Sequence, residues 1–302
     1  MGLTAAATAD DLARAVTERV RALLDAEAIE APYRAALALA LELPGNLLSP
    51  APNLRWARPV WTCCAAAGGH WKQAVPMAAA VEVFMVALDL LDDLEDGEEN
   101  AVSASFGTAR TLNVTTGLLS LAYGQLLDGA GVEAARLLLE GGLRACSGQH
   151  ADLAPADEHG GTLEGALAVA SAKSGSLVAA ICRLGALSGG ADEQRQQLFA
   201  QFGSHLGIAA QLANDIAALA PAAVGKTDVA LCRPTLPLAY AALPRTPLPE
   251  DTDRCPDVWA NRPAQYTWAV ADTYRRLALE LIPRLTADAD ARAALAALLH
   301  VL

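Results

Sequence analysis

The sequence predicts an all-α fold, and three observations carry that prediction. The chain has 302 residues, 53% of them hydrophobic but only 5% aromatic. Much of that apolar content is Ala and Leu, with few β-branched runs, and both residues favour helix. No stretch alternates apolar and polar residues for long enough to form a half-buried strand. Gly and Pro divide the rest into segments of helical length. No linker separates independent halves and no fixed-period repeat recurs, so residues 1–302 are expected to form one domain of roughly ten helices.

Taken in order, Asp10 to Ala26 forms an amphipathic helix with Leu12, Val16, Val20 and Leu23/Leu24 on one side. A second helix runs from Pro32 to Leu43, ended by Pro44-Gly45, and Pro50 and Pro52 mark a loop. Trp56 to Gly68 is helical, with a turn at Gly68-Gly69, and the next helix begins near Ala74 and lasts to Gly97. After a polar loop come helices over Phe106–Asp128 and Val132–Gln149. Pro155 to Gly161 is a connection, and helix resumes from Leu163 to Leu187 until Ser188-Gly189-Gly190 breaks it. Asp192 caps a helix that Pro221 stops after Leu219. Leu243 to Pro256 holds four prolines and reads as a surface loop, and two helices close the chain.

The helix ending at Gly97 changes character along its length. It begins apolar and ends with Asp89, Asp92, Asp93 and Asp96 at i, i+3, i+4 and i+7, all on one face. Four like charges on one stripe repel one another, and an acidic last turn also opposes the helix dipole. A solvated acidic end is the plain alternative. A divalent cation explains the stripe better, because Mg²⁺ takes oxygen ligands from one or two carboxylates together with substrate phosphates and water. A second constellation lies late in another helix, where Gln211, Asn214 and Asp215 share a face. Two such helices facing each other would line a cavity with oxygen atoms. Lys173, in Lys173-Ser-Gly-Ser176, interrupts an apolar helix, so it needs either a diphosphate or a core carboxylate as partner. Arg55 and Arg58 lie upstream of the first acidic helix, and Lys226 and Arg233 follow the second.

The net charge of −12 argues against a nucleic-acid partner, because phosphate backbones are bound by basic surfaces. The six cysteines lack zinc-ligand spacing and read as small buried hydrophobes of a reducing cytoplasm. No signal peptide is expected, given Asp10, Asp11 and Arg14 before any long apolar run. The longest membrane candidate, Thr111 to Leu127, contains Thr, Asn and Gln and is short for a span, so no membrane span is expected.

Together these pieces resemble the trans-isoprenyl diphosphate synthase (polyprenyl synthetase) family. Asp92-Asp-Leu-Glu-Asp96 matches the first aspartate-rich motif, DDxxD. Arg55-Trp-Ala-Arg58-Pro59 resembles the basic segment upstream of it, and Lys173-Ser-Gly175 the mid-chain K-T/S-G motif. Gln211 to Asp215, then Lys226 and Arg233-Pro-Thr-Leu-Pro237, follow the family order, and the resemblance covers about residues 32 to 280.

The resemblance implies an isoprenoid-synthase helical bundle around a central metal-lined cavity, a homodimer, and three Mg²⁺ ions. It implies that Asp92 and Asp96 ligate two metals, with Asp93 supporting them, and that Asp215 helps hold the third. Lys173, Gln211 and Lys226 would contact the diphosphate of an allylic isoprenyl substrate. Arg55, Arg58, Asn214 and Arg233 would line the substrate site, with Ala87, Leu88 and Asp89 along its wall, where the small Ala87 leaves room for a C15 or longer chain.

Departures from the family pattern point to the co-substrate. Met85 stands where chain-elongating members have His, and Gly97-Glu-Glu-Asn-Ala-Val-Ser103 lacks the two arginines that usually follow DDxxD. Asn214 and Ala218 replace aspartates of the second motif. These losses fall mainly on the site for isopentenyl diphosphate. The pattern is closer to ComQ-type peptide prenyltransferases, so a cytoplasmic Mg²⁺-dependent prenyltransferase with a peptide or small-molecule acceptor is expected. The alternatives are a class I terpene cyclase, an ordinary polyprenyl diphosphate synthase, and a silent partner subunit. Asp89, where the family has an apolar residue, is expected to support the neighbouring carboxylates without touching the ion.

Overall fold

Helix follows helix, and no strand occurs among the described residues. The computed structural model describes residues 9–26, 29–154, 161–219, 233, 235–243 and 262–300. The helices are α1 (Ala9–Ala26), α2 (Ala31–Leu41), α3 (Ala57–Ala67), α4 (Trp71–Asp96), α5 (Ala101–Gly129) and α6 (Val132–Leu153). They continue with α7 (Leu163–Ala170), a π-helical turn (Ser171–Gly175), α8 (Ser176–Ser188), α9 (Glu193–Ala217), α10 (Leu236–Ala241), α11 (Arg262–Leu285) and α12 (Ala289–Leu298). The all-α prediction is borne out. The expected surface loop from Leu243 to Pro256 lies almost wholly outside the described residues.

Several boundaries differ from expectation, each for a local reason. The helix α4 starts at Trp71, not Ala74, because His70 caps it. The His70 ring nitrogen Nδ1 accepts the Lys72 N–H at 3.3 Å, and Gln73 Oε1 accepts the His70 N–H at 2.6 Å. Gly97 ends this helix in the left-handed region, at φ 70°, as its position suggests. The segment expected to be loop before Phe106 is helical, since Asn100 caps Val102 and Ser103 at 2.9 and 3.0 Å. Gly107, at φ 72° and ψ 165°, then breaks α5 where the sequence places the helix start. The predicted helix over Leu163–Leu187 is three pieces, with the π-helical turn in the middle. Asp192 does cap α9, accepting the Arg195 N–H at 2.8 Å.

The described chain forms two compact units. The first holds α1 to α5, α6 up to Leu139, α8 from Ile181, α9 up to Phe199, and the chain from Pro283. Helix α4 is its core: residues from Ala74 to Leu90 are largely buried, and α1, α3 and α5 pack against it. The predicted stripe Leu12, Val16, Val20 and Leu24 is the buried face of α1. A Cβ on Gly189, just past the end of α8, would come 2.5 Å from the Cys64 carbonyl oxygen, so the chain there meets α3 backbone to backbone.

The second unit holds α6 from Glu140, α7, the π-helical turn, α8 up to Ala180, α9 from Ala200, α10, and α11 up to Ile282. Glycines on α6 and α9 clasp the π-helical turn. A Cβ on Gly148 would collide with the Lys173 backbone nitrogen, and one on Gly207 would lie 2.5 Å from the Ser174 carbonyl oxygen. Ala166, Ala170, Ile208, Leu212, Leu236, Ala239 and Ala271 form the apolar core beside it.

Cys63, Cys64 and Cys182 are buried free thiols, as expected. Cys146 is exposed, contrary to that reading, because it shares the outward face of α6 with Leu143. Two segments, Trp71–Asp96 and Leu163–Ser188, are long and apolar enough to cross a bilayer by length and composition, and Thr111–Leu127, weighed and set aside from the sequence, is not one of them. In α4 72% of the relevant window is buried inside the protein, as in a soluble core helix, and 44% is buried in Leu163–Ser188.

Candidate active site

The acidic end of α4 lies in the first unit. Over Asp89 to Asp96 the helix is regular, so the four predicted carboxylates occupy one face over two turns. Leu88, Asp92, Asp93 and Asp96 are half-buried, whereas Ala87 is fully buried among the packed face of α4. Asn100 fixes Asp93: its side-chain Nδ2 donates to Asp93 Oδ2 at 2.7 Å while its oxygen caps α5. One asparagine therefore ties the last acidic turn to the start of the next helix.

Asp89 is exposed, on the same face as Asp92 and Asp93. Its pKa is raised to about 6, first by burial, then by Asp92 and Asp93, and opposed by the Arg55 guanidinium. Arg55 stacks over the Trp56 ring at 5.0 Å, and Arg58 is exposed.

Glu82, two turns before Asp89, is a residue that the sequence reading missed. It is 3% exposed, and one of its oxygens accepts the N–H groups of Trp56 at 2.9 Å and Ala57 at 2.6 Å. This carboxylate caps α3 and holds the Arg55–Arg58 segment against α4. Burial pushes its pKa up to about 7, with the two backbone bonds pulling the other way and Asp89 adding a smaller upward push. An acid in the middle of an apolar run, Val81-Glu-Val83, was the available signal.

The second cluster lies in the second unit, around the π-helical turn. Lys173 Nζ pairs with Asp152 Oδ2 at 3.1 Å, and the buried Arg233 reaches the same oxygen at 3.5 Å. Of the two partners expected for Lys173, a core carboxylate is present. Asp152, near the C-terminus of α6, was not singled out by the sequence reading because twenty residues separate it from Lys173. Ser174 Oγ donates to Gln211 Oε1 at 2.5 Å, and Gln211 Nε2 donates to Asp215 Oδ1 at 3.0 Å. Asp215 is buried, and Asn214 is exposed. The structure thus brings Lys173, Ser174, Gln211 and Asp215 into one neighbourhood. Lys226 lies outside the described residues.

Among the described residues, no three His, Cys, Asp or Glu side chains form a ready-made ion site. The donor set still fits a hard divalent ion that completes its shell from elsewhere: Asp92 and Asp96 offer carboxylate oxygens on one face, beside Asp93 held by Asn100. Mg²⁺ is of this kind, taking few protein ligands and the rest from phosphates and water.

Residues 54–265 match the family model described as polyprenyl synthetase. The chain is 32% identical over 197 residues to the (2E,6E)-farnesyl diphosphate synthase of Mycobacterium tuberculosis, covering 60% of this chain and 54% of that protein. It is 29% identical over 153 residues to tryptophan prenyltransferase ComQ of Bacillus spizizenii, covering 50% of this chain and 53% of that one. The chain thus spans about half the length of the curated relatives it matches. In fold it is similar to a polyprenyl synthetase from Streptomyces coelicolor A3(2), with TM-score 0.79, 24% identity, and coverage of 96% and 97% of the two chains. A polyprenyl synthase from Caulobacter crescentus CB15, solved with calcium and isoprenyl diphosphate, is similar at TM-score 0.77 and 24% identity over 95% of this chain and 94% of that one.

Proposed function

This chain belongs to the polyprenyl synthetase family, and from that premise we propose that it is a Mg²⁺-dependent prenyltransferase. It ionises an allylic isoprenyl diphosphate and transfers the prenyl group to an acceptor other than isopentenyl diphosphate. The observation that carries the reading is the carboxylate face of α4, Asp92 to Asp96, with Asp93 fixed by Asn100.

In the proposed reaction the allylic C–O bond breaks and its electron pair leaves on the diphosphate. The acceptor then forms a bond to the allylic carbon and gives up its proton. Magnesium, when bound, supplies positive charge that stabilises the departing diphosphate. Asp92 and Asp96 are the residues proposed to hold it, with Asp215 contributing for a third ion. Lys173, kept in place by Asp152, adds an ammonium for the diphosphate, as would Lys226. Gln211, bonded to both Ser174 and Asp215, keeps the second polar face in register. An apolar wall near Leu88 excludes water from the allylic cation, while Ala87 lies behind it in the packed core.

The acceptor reading rests on the absence of arginine between Gly97 and Ser103, on Met85, and on the similarity to a tryptophan prenyltransferase. The ordinary-synthase reading is favoured by the farnesyl diphosphate synthase relative at 32% identity. We also propose a cytoplasmic homodimer, for which Leu112, Leu127, Val132 and Leu139 offer exposed apolar surface on α5 and α6.

Mass-spectrometric product analysis with Mg²⁺ and C10, C15 or C20 allylic diphosphates, each with and without isopentenyl diphosphate, separates these readings. The proposal expects diphosphate release with no elongated product. An elongated diphosphate only in the presence of isopentenyl diphosphate would identify an ordinary synthase, and a hydrocarbon or terpene alcohol from the allylic substrate alone a cyclase.

A further inference from the structure

The upstream basic segment meets α4 at a point where negative charge is concentrated. Glu82 ties the Trp56 and Ala57 backbone to α4, so the neighbouring Arg55 is held beside that helix. Asp89 is seven residues further on, about 10 Å along the axis and on nearly the same side. The Arg55 guanidinium lies over the Trp56 ring at 5.0 Å, within a side chain's reach of the face of α4 that carries Glu82 and Asp89. Beyond the end of α4, Glu98 and Glu99 are exposed, and no cation stands between Gly97 and Ser103.

We infer that Asp89 determines which co-substrate this locus accepts: it counters the Arg55 guanidinium, excluding an anionic phosphate-bearing co-substrate and leaving room for a neutral or cationic nucleophile. An arriving diphosphate brings several negative charges. It would have to share one guanidinium with a carboxylate on the same side of α4, on a helix face where Asp92 and Asp93 add negative charge. A neutral nucleophile pays no such penalty, and a cationic one gains from Asp89. Discrimination of this kind works by repulsion of the wrong partner as much as by attraction of the right one.

The inference deepens the proposed function and rests on its reading of Arg55 as part of the substrate site. Its test needs no turnover. Inorganic pyrophosphate is titrated into the full chain by calorimetry, in chelator so that no metal bridges the probe to the aspartates. Wild type is compared with Asp89→Asn, Arg55→Gln and the double variant, each checked for an unchanged melting profile. We expect Asp89→Asn to bind the probe about tenfold tighter than wild type, and this gain to vanish in the double variant. No gain in Asp89→Asn overturns the inference, and so does a gain that survives loss of Arg55. Pyrophosphate release from an allylic diphosphate, measured on wild type with Mg²⁺, judges the underlying reading separately. A protein that fails that assay and still shows the Arg55-dependent gain upholds the charge arrangement while sinking the prenyl-transfer reading.

Discussion

Glu82 shows what one side chain does to the stability of this molecule. Its carboxyl is buried, with a pKa near 7 against an ordinary 4.5. A carboxyl whose pKa is raised on folding stabilises most below its unfolded value, and that contribution falls as pH climbs through the folded value. Urea unfolding should therefore show wild type losing stability between about pH 4.5 and 7 through this group. Glu82→Gln keeps an acceptor for the Trp56 and Ala57 N–H groups and removes the titration. The variant should match wild type at low pH and exceed it by about 1–3 kcal/mol at pH 8. An unchanged pH profile in Glu82→Gln would remove Glu82 as the cause. Asn100 carries two duties, capping α5 and holding Asp93. Asn100→Ala should cost about 1 kcal/mol of stability and lower prenyl-diphosphate turnover. Asn100→Ser should restore the melting temperature, since serine caps well, without restoring turnover. Recovery of both by serine would reduce Asn100 to a cap.

At the scale of elements, the π-helical turn between α7 and α8 is the feature on which the second polar cluster depends. It presents Lys173 toward Asp152 and Ser174 toward Gln211, and Gly148 and Gly207 allow the flanking helices to approach it closely. π-helical turns of this kind occur often at functional sites. Gly207→Ala forces a methyl against the Ser174 carbonyl, so it should destabilise the protein by about 1–3 kcal/mol and weaken binding of an allylic diphosphate in calorimetry. Gly124, whose added Cβ would meet nothing within 4 Å, is the matched control. Equal effects at both positions would argue that helix propensity alone is being measured. This element also marks the limit of what the sequence discloses. Periodicity reveals Leu163–Leu187 as helical, but an i→i+5 turn leaves no apolar pattern of its own. The acidic stripe of α4 was legible because helix geometry converts the spacing of its four aspartates directly into a shared face. Asp152 and Glu82 were harder to find, since each acts through a partner at least twenty residues away. Likewise, His70 is an uncommon cap, which is why the start of α4 was placed three residues late.

The whole molecule combines a net charge of −12 with exposed apolar residues on α5 and α6, including Leu112, Leu127, Val132 and Leu139. A monomer with this surface would expose apolar area to water without return, and a second copy of the chain would cover it. Sedimentation should give a dimer, and Leu112→Glu combined with Leu139→Glu should give a folded monomer; a monomeric wild type would contradict the proposal. The acidic charge also makes a cation-assisted route to an anionic substrate reasonable, because the protein's own field repels it. The proposed function places ionisation of an allylic diphosphate at the aspartate face of α4. The most direct measurement is inorganic pyrophosphate release from a C15 allylic diphosphate without isopentenyl diphosphate, in wild type and in Asp92→Ala. Wild type should release it in a Mg²⁺-dependent way that chelator abolishes, and the variant should be at least a hundredfold slower, about 3 kcal/mol in the barrier. Full release by Asp92→Ala would contradict that placement.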